Sequence, residues 1–159
     1  LRFFTVYGPW GRPDMAPMIF AKNIFSKLPI DVFNFGRMKR DFTYIDDIVE
    51  SIHRLMSFIP QNNTNFNFTK PNPSQSWCPH RILNIGNSNP VNLLDFITEI
   101  EDKLGIKAKK INLPMQPGDV ASTSADTKLL ESLIGFKPKT SIKEGISKFV
   151  DWYRDFYKV

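Results

Sequence analysis

The chain has 159 residues, of which 42% are hydrophobic and 23% charged, and its formal net charge is +5. This balance suits a folded, soluble protein with one core of ordinary size and argues against disorder. No apolar run approaches the roughly 20 residues that cross a bilayer. The single cysteine, Cys78, excludes an internal disulfide and is too few for a metal cluster.

Charge and the opening residues bear on partners and location. A pI near 9.4 fits an anionic partner, either nucleic acid or a phosphate-bearing metabolite. Because the lysines are scattered and the aromatic residues fall at core-like spacings, nucleic acid is the less favoured of the two. Residues 1–14 lack the ordered features of a secretory signal. We therefore expect a cytoplasmic protein with no membrane, metal or nucleic-acid partner.

Strands and helices alternate in the first sixty residues. An apolar run that stops at Gly8-Pro9 is typical of a buried strand, and apolar residues at intervals of three and four before Pro29 predict a helix. The patterns together predict a strand at 1–7, a helix at 15–27, a strand at 30–35 closed by Gly36, an extended segment at 42–44, and a helix at 45–59 that Asp46 or Asp47 can cap and Pro60 ends.

The alternation continues after a long loop. Residues 61–80, rich in asparagine and proline, predict irregular structure with a strand around Phe66 and Phe68. We then expect a strand at 82–85, a helix at 92–104 stopped by Gly105, a strand at 108–113, a loop at 114–124, a helix at 126–133 followed by Gly135, and a helix at 141–157 that Thr140 or Ser141 can cap. Such a pattern favours α/β or α+β layers over a bundle or a sandwich.

A basic turn precedes the extended segment at 42–44. Arg37, Lys39 and Arg40 are crowded there, and guanidinium groups so placed can form forked hydrogen bonds to a phosphate or a carboxylate. The alternative is a solvated turn whose charges pair with Asp41, Asp46 and Asp47. At the head of a helix, Asp46 and Asp47 are interpreted as caps that complement the helix dipole, without a catalytic part.

Two further turns contain glycine beside charged residues. Pro117-Gly118-Asp119 would present a carboxylate that can accept two ribose hydroxyls, or is a plain turn with a local hydrogen bond. In GPWGRPDM the spacing of Gly8 and Gly11 differs from that of the phosphate-binding glycine loops. Neither a GxxGxxG pattern nor a Tyr-x-x-x-Lys pair occurs in the chain.

The strongest signal comes from five long stretches: LRFFTVYGPWGRPDMA, PIDVFNFGRMKRDFTYIDDIVE, RILNIGNSNPVNLLDFI, LPMQPGDVASTSAD and GISKFVDWYRDFY. In this order they resemble the carboxyl-terminal half of the UDP-glucuronate 4-epimerases, extended short-chain dehydrogenases/reductases of the NAD-dependent epimerase/dehydratase family. The resemblance implies an α/β fold, the carboxyl-terminal part of an extended Rossmann-type fold. Residues 1–29 would be the end of the Rossmann portion with a linking helix, and residues 30–159 mostly the smaller substrate-binding α+β domain. The amino-terminal NAD-binding half would be absent.

The same resemblance implies a chemistry. In the family, tightly held NAD takes hydride from C4 of a UDP-sugar to give a 4-keto intermediate, the sugar turns over, and hydride returns to its other face, which interconverts UDP-glucuronate and UDP-galacturonate. The glycine-rich loop and the Tyr-x-x-x-Lys pair belong to the missing half. We therefore expect no catalytic residue in this chain, assign none to the cofactor, and expect the 159 residues alone to be inactive.

The resemblance also implies substrate contacts, all within this chain. The implied contacts are Thr5 and Arg12 with the sugar carboxylate, Val32, Phe33 and Asn34 with uracil, Arg40 with the diphosphate, and Gln116 and Asp119 with the ribose and phosphates. We expect Arg12, Arg40 and Asp119 to face one common cleft, because they would surround one ligand.

Three alternatives stay open at the level of sequence. The chain could be a non-catalytic remnant or binding module, a part of a related epimerase or 4,6-dehydratase that uses a different sugar, or a basic nucleic-acid-binding domain. The family's homodimer, or association through apolar surface left unpaired at residues 1–7, is a further expectation.

Overall fold

The computed structural model describes all 159 residues as a chain of alternating short strands and helices. The five helices are α1 (Ala16–Phe25), α2 (Ile45–Leu55), α3 (Leu93–Leu104), α4 (Lys128–Ile134) and α5 (Ile142–Tyr157). The eight strands are β1 (Arg2–Phe3), β2 (Thr5–Tyr7), β3 (Pro29–Val32), β4 (Lys39–Arg40), β5 (Phe42–Tyr44), β6 (Asn84–Ile85), β7 (Val91–Asn92) and β8 (Lys109–Asn112).

The strands form four pairs. β1 pairs with β6, β2 with β5, and β3 with β8, all in parallel, whereas β4 and β7 are antiparallel. The predicted strand at 1–7 is therefore interrupted at Phe4, where the chain exchanges β6 for β5 as its partner. Parallel pairing needs crossover connections, and α1 and α2 lie within those connections, so the architecture is α/β as predicted.

The main core lies between the strands and helices α1, α3 and α5. Phe42 and Phe96 stack with ring centroids 4.0 Å apart, and both are almost completely buried. A smaller cluster joins α2, α4 and β6. Its fully covered members are Ile48, Ile85, Leu130 and Ile134. None of the helices has the length and apolar character that a membrane crossing requires.

Two predicted helix termini are confirmed. Gly105 follows α3 with a φ of 70°, a left-handed conformation that glycine adopts without strain and that commonly ends helices. Ser141 caps α5, and its hydroxyl accepts a hydrogen bond from the Glu144 amide at 3.2 Å. Both ends could be predicted from the sequence because the capping residue is adjacent to the helix that it terminates.

The predicted cap of α2 is wrong. Tyr44 occupies the N-cap without a side-chain bond, and Asp47 lies in the first turn. The buried Asp47 carboxylate instead accepts hydrogen bonds from the amides of Lys139 and Thr140 at 3.1 and 2.9 Å. The helix also ends at Leu55 rather than at residue 59, because the chain tightens into a turn before Pro60.

Two predicted strand segments are also wrong. The strand expected at 30–35 ends at Val32, and Phe33–Gly36 forms a 3-10-type turn in which Asn34 and Phe35 have φ values of 50° and 53°. The hydrogen bond from the Phe35 amide to the Leu113 carbonyl, at 3.1 Å, holds this left-handed turn. No strand forms at residues 66–68, where the two phenylalanine rings pack edge to face.

Glu101 links α3 to β8 and gives the fold a pH dependence. Its side chain is 3% exposed and accepts hydrogen bonds from the Ala108 amide at 3.1 Å and from Lys110, with Lys107 also at 3.2 Å. Burial acts to raise the pKa of Glu101, but these hydrogen bonds outweigh it and leave the pKa below its ordinary value of 4.5. The carboxylate therefore stabilises the folded state while it is ionised.

We expect Glu101→Gln to lower the free energy of unfolding by about 2 kcal/mol at pH 7, because it removes a charge-assisted acceptor. A lowered folded-state pKa contributes stability that is complete above the ordinary value and is lost as the pH falls through the folded-state pKa. Urea denaturation at decreasing pH should therefore show the difference between wild type and variant narrowing below pH 4.5. A constant difference down to pH 3 would contradict this account.

Candidate substrate-binding site

A cavity of about 400 Å³ opens where α1 meets the ends of several strands. Its walls come from one side of α1, from β3 and the turn after it, from β4 and β5, and from the loop after β8. Apolar and aromatic side chains form about half of the lining. Its polar side chains are Thr5, Asp14, Asn23, Asp31, Arg40, Gln116 and Asp119. A largely apolar cleft with a few convergent polar groups is the usual form of a small-molecule site.

An ion pair between Arg40 and Asp119 crosses this cavity wall. Arg40 Nη2 lies 2.9 Å from Asp119 Oδ1, and the two side chains are 16% and 32% exposed. A second guanidinium nitrogen of Arg40 donates to the Lys39 carbonyl at 3.0 Å. The cavity thus contains a partly buried guanidinium group, the kind of group that binds phosphate by paired hydrogen bonds.

Arg40 is positioned by its neighbour, Asp41. This side chain is fully buried, and its carboxylate accepts hydrogen bonds from the amides of Asn87, Ser88 and Ala125 at 2.9, 3.0 and 2.7 Å. The sequence alternative in which Asp41 neutralises the basic turn is therefore wrong. A carboxylate with three amide donors ties β4–β5 to two distant loops and so fixes the strand that carries Arg40.

The structure brings five of the predicted site residues to the same cavity. Thr5 at the start of β2 and Phe33 after β3 line it, as do Gln116, Asp119 and Arg40. These residues are far apart in sequence, and Arg40 and Asp119 alone are separated by 79 positions. Their binding roles stay predictions, but the loops that carry them do converge.

Two predicted uracil contacts do not line the cavity through their side chains. Val32 is completely buried in the main core. The side chain of Asn34 instead donates a hydrogen bond from Nδ2 to the Arg37 carbonyl at 2.9 Å, which stabilises the left-handed turn. Any contact of these residues with a base would be made by the backbone.

The expectation of one cleft for Arg12, Arg40 and Asp119 holds only for the last two. Arg12 lines a second, wider cavity of about 980 Å³, and its side chain is 73% exposed. Arg12 lies in the loop between β2 and α1 and pairs there with Asp14, two residues later. The two cavities meet at Thr5, which lines both.

Sequence reasoning missed three polar residues of the cavity. Asn23 comes from the last part of α1, Asp31 from β3 and Asp14 from the loop before α1. The alternating burial of β3 leaves Asp31 on the exposed face, and an isolated aspartate in an apolar strand was the available signal. Asn23 had no such signal, because its neighbours indicated only a helix.

Of the basic turn, Arg40 alone reaches the cavity. Arg37 and Lys39 are exposed and are not part of its lining. No group of three or more His, Cys, Asp or Glu side chains is arranged to hold a metal ion. Arg40 is therefore the one cationic side chain of the lining, beside the carboxylates of Asp14, Asp31 and Asp119.

The fold is shared with solved nucleotide-sugar enzymes. MoeE5 in complex with UDP-glucuronic acid and NAD matches with a TM-score of 0.80 and 27% identity, over 98% of this chain and 46% of that one. UDP-glucuronic acid 4-epimerase from Bacillus cereus, in complex with UDP-glucuronic acid and NAD, matches with a TM-score of 0.79 and 29% identity, over 98% and 45%. The fold is therefore that of the extended short-chain dehydrogenases/reductases.

Sequence similarity narrows this class. Residues 1–68 match the NAD dependent epimerase/dehydratase family. The chain is 51% identical over 158 residues to protein CapI of Staphylococcus aureus and 48% identical over 158 residues to a probable UDP-glucuronate 4-epimerase of Rhizobium meliloti (strain 1021). These alignments cover 99% of the chain but 47% and 46% of the relatives, so the chain spans about half their length. These similarities give a match to that family over residues 1–68 and homology over nearly the whole chain to about half of a probable UDP-glucuronate 4-epimerase.

Proposed function

We propose that this chain is the UDP-sugar-binding half of an NAD-dependent UDP-glucuronate 4-epimerase. The observation that carries the proposal is the convergence of Arg40 and Asp119 in one cavity with Thr5, Phe33 and Gln116. The relatives at 48% identity and the solved complexes with UDP-glucuronic acid support the choice of ligand. In this arrangement the nucleotide supplies the binding energy that positions the sugar.

Each part of the ligand has a suitable partner. The diphosphate carries the negative charge that the Arg40 guanidinium group binds, and the Asp119 carboxylate can accept hydrogen bonds from ribose hydroxyls. The Phe33 ring offers an apolar surface to the base. Thr5 lies where the two cavities meet, so its hydroxyl is available to the sugar. Binding thus brings the sugar next to the loop that contains Arg12.

The cofactor of the family is NAD, which accepts and returns a hydride when it is bound. The described residues do not form a site that fits its diphosphate. The strand-to-helix loop that contains Gly8 and Gly11 lacks the family spacing, and Met15, the N-cap residue of α1, makes no side-chain cap hydrogen bond. No Tyr-x-x-x-Lys pair is present for proton transfer. We therefore assign only substrate binding to these residues.

We expect Arg40→Gln to weaken UDP-glucuronate binding by about 10- to 150-fold, because a charged hydrogen bond contributes roughly 1.5–3 kcal/mol. Isothermal titration calorimetry of the 159-residue chain measures this directly. Arg37→Gln is the matched control, since it removes the same charge from the same turn at an exposed position outside the cavity. Absence of binding by the wild-type chain at millimolar UDP-glucuronate, or equal losses in both variants, would overturn the proposal.

The absence of the Tyr-x-x-x-Lys pair favours a second candidate, a binding module without activity of its own. A coupled assay for UDP-galacturonate with added NAD separates the two. The working half of an epimerase gains activity when a polypeptide with the NAD-binding half is supplied, whereas a binding module does not. A related enzyme of a neutral sugar would instead bind UDP-glucose at least as well as UDP-glucuronate.

Location and association are further parts of the proposal. A nucleotide-sugar enzyme without a membrane-crossing helix fits the cytoplasm, and the substrate is the only partner that we assign, with no nucleic acid. The exposed side chains of Leu1 and Phe3 fit self-association along the opening strand. Light scattering coupled to size-exclusion chromatography distinguishes a dimer from a monomer.

A further inference from the structure

The Arg12 guanidinium group already has a carboxylate partner within the chain. Arg12 Nε donates to Asp14 Oδ1 at 3.1 Å, and Arg12 Nη2 donates to Asp14 Oδ2 at 2.5 Å. This two-point contact has the forked geometry in which arginine binds any carboxylate, including that of a sugar acid. Asp14 therefore occupies the binding face of Arg12 that a sugar carboxylate would need.

Asp14 also lies at the site itself. It lines the smaller cavity together with Arg40 and Asp119, whereas Arg12 lines the wider cavity, and Thr5 belongs to both. The pair thus lies at the junction of the two cavities. With 73% and 65% of their side chains exposed, Arg12 and Asp14 can separate without leaving a buried charge.

From this geometry we infer that Asp14 is a specificity-determining residue, which competes with the carboxylate of a bound sugar acid for Arg12. The inference rests on the proposed function. A sugar acid can replace Asp14 as the partner of Arg12, at the cost of separating the pair and of bringing two carboxylates close together. A neutral sugar offers no such partner and leaves the pair intact. Asp14 thereby lowers the ratio of the affinity for UDP-linked sugar acids to the affinity for UDP-linked neutral sugars.

The same arrangement recurs at the second arginine. Arg40 is held by Asp119, at 2.9 Å, on the wall of the cavity proposed for the diphosphate. Each arginine assigned to a ligand anion thus carries an intramolecular carboxylate. For a sugar that has to turn over within its pocket, weaker binding of the carboxylate is favourable, because tight ground-state binding does not accelerate the reaction.

The test compares two ligands with Asp14→Asn. Removing the charge frees Arg12, so the affinity for UDP-glucuronate should rise by about two- to fivefold, as suits an exposed ion pair. The affinity for UDP-glucose should stay unchanged. Calorimetry at low ionic strength measures both, and thermal unfolding establishes that the variant is folded. Glu50→Gln is the matched control, because it breaks an exposed Arg–Glu pair outside both cavities.

The double variant Arg12→Gln/Asp14→Asn should not show the rise in affinity for UDP-glucuronate, because no guanidinium group remains at position 12. An equal rise for both ligands would show a general effect of charge on the diphosphate, and an unchanged affinity for UDP-glucuronate would show that Asp14 has no part in selection. Either result overturns the inference while leaving the proposed function in place. Failure of the wild-type chain to bind either ligand would overturn both.

Discussion

Asp41→Ala should lower the free energy of unfolding by about 3–5 kcal/mol, the largest loss that we expect from any single change in the chain. The carboxylate is completely buried and accepts hydrogen bonds from the amides of Asn87, Ser88 and Ala125. Alanine leaves the amides of Ser88 and Ala125 without an acceptor, leaves the Asn87 amide with only the Thr43 hydroxyl, and opens a cavity. Because stable domains have a total of only about 5–15 kcal/mol, urea denaturation should show the variant to be close to unfolding.

Asp46→Ala is the control for this change. Asp46 is exposed and lies in the first turn of α2, where it interacts with the helix dipole, a contribution of about 0.5 kcal/mol. In hydrogen exchange, the amides of Asn87, Ser88 and Ala125 should lose protection together in the Asp41 variant. A loss of stability as small as that of the control would contradict the assigned role of Asp41.

Gly145→Ala should destabilise the chain by about 2–3 kcal/mol, although alanine is normally preferred to glycine within a helix by about 1 kcal/mol. A Cβ atom at position 145 would overlap the hydroxyl group of Tyr7 and lie 2.7 Å from its Cζ atom. The Tyr7 ring cannot move aside easily, because it packs edge to face against Phe42, Tyr44 and Phe96. Thermal or urea unfolding measures the loss.

Tyr7→Phe tests whether overlap with the Tyr7 hydroxyl causes the destabilisation by Gly145→Ala. The Tyr7 hydroxyl is buried without a hydrogen-bond partner, and its burial, with nearby Tyr44 and Asp47, raises the pKa of Tyr7. Its removal should stabilise the chain by about 1 kcal/mol and should reduce the cost of Gly145→Ala in the double variant. Ser147→Ala in the same helix is the control. Additive effects of the two changes would contradict a direct clash.

Local patterns predicted the helices well because the information lies within each helix. The apolar spacing of α3, Gly105 after it and Ser141 before α5 all act over a few residues. The left-handed turn at Phe33–Gly36 was missed, since an apolar run continues through it and the Leu113 carbonyl that stabilises it is distant in sequence. The hydrogen bonds that the Asp47 carboxylate accepts from the amides of residues 139 and 140 were missed for the same reason, because these partners are distant in sequence.

The candidate site was predicted through family resemblance rather than through local chemistry. Composition and spacing favoured a solvated turn around Arg40 and a plain turn around Asp119, and only the matching motifs raised both to ligand contacts. The structure adds what neither source supplied. Arg12 faces a different cavity from Arg40, and Asp14 pairs with Arg12 while lining the cavity that contains Arg40. The division into residues 1–29 and 30–159 stays a prediction.

In the left-handed turn at Phe33–Gly36, the path of the backbone does not depend on which side chain stands at position 33. Main-chain hydrogen bonds to the carbonyls of Asn34 and Leu113, with the Asn34 amide group, fix its path. Exchange of Phe33 for a smaller or larger ring should therefore change the width of the pocket without redirecting the chain. Under the proposed function, a library randomised at this one position would test whether the side chain there selects the nucleobase.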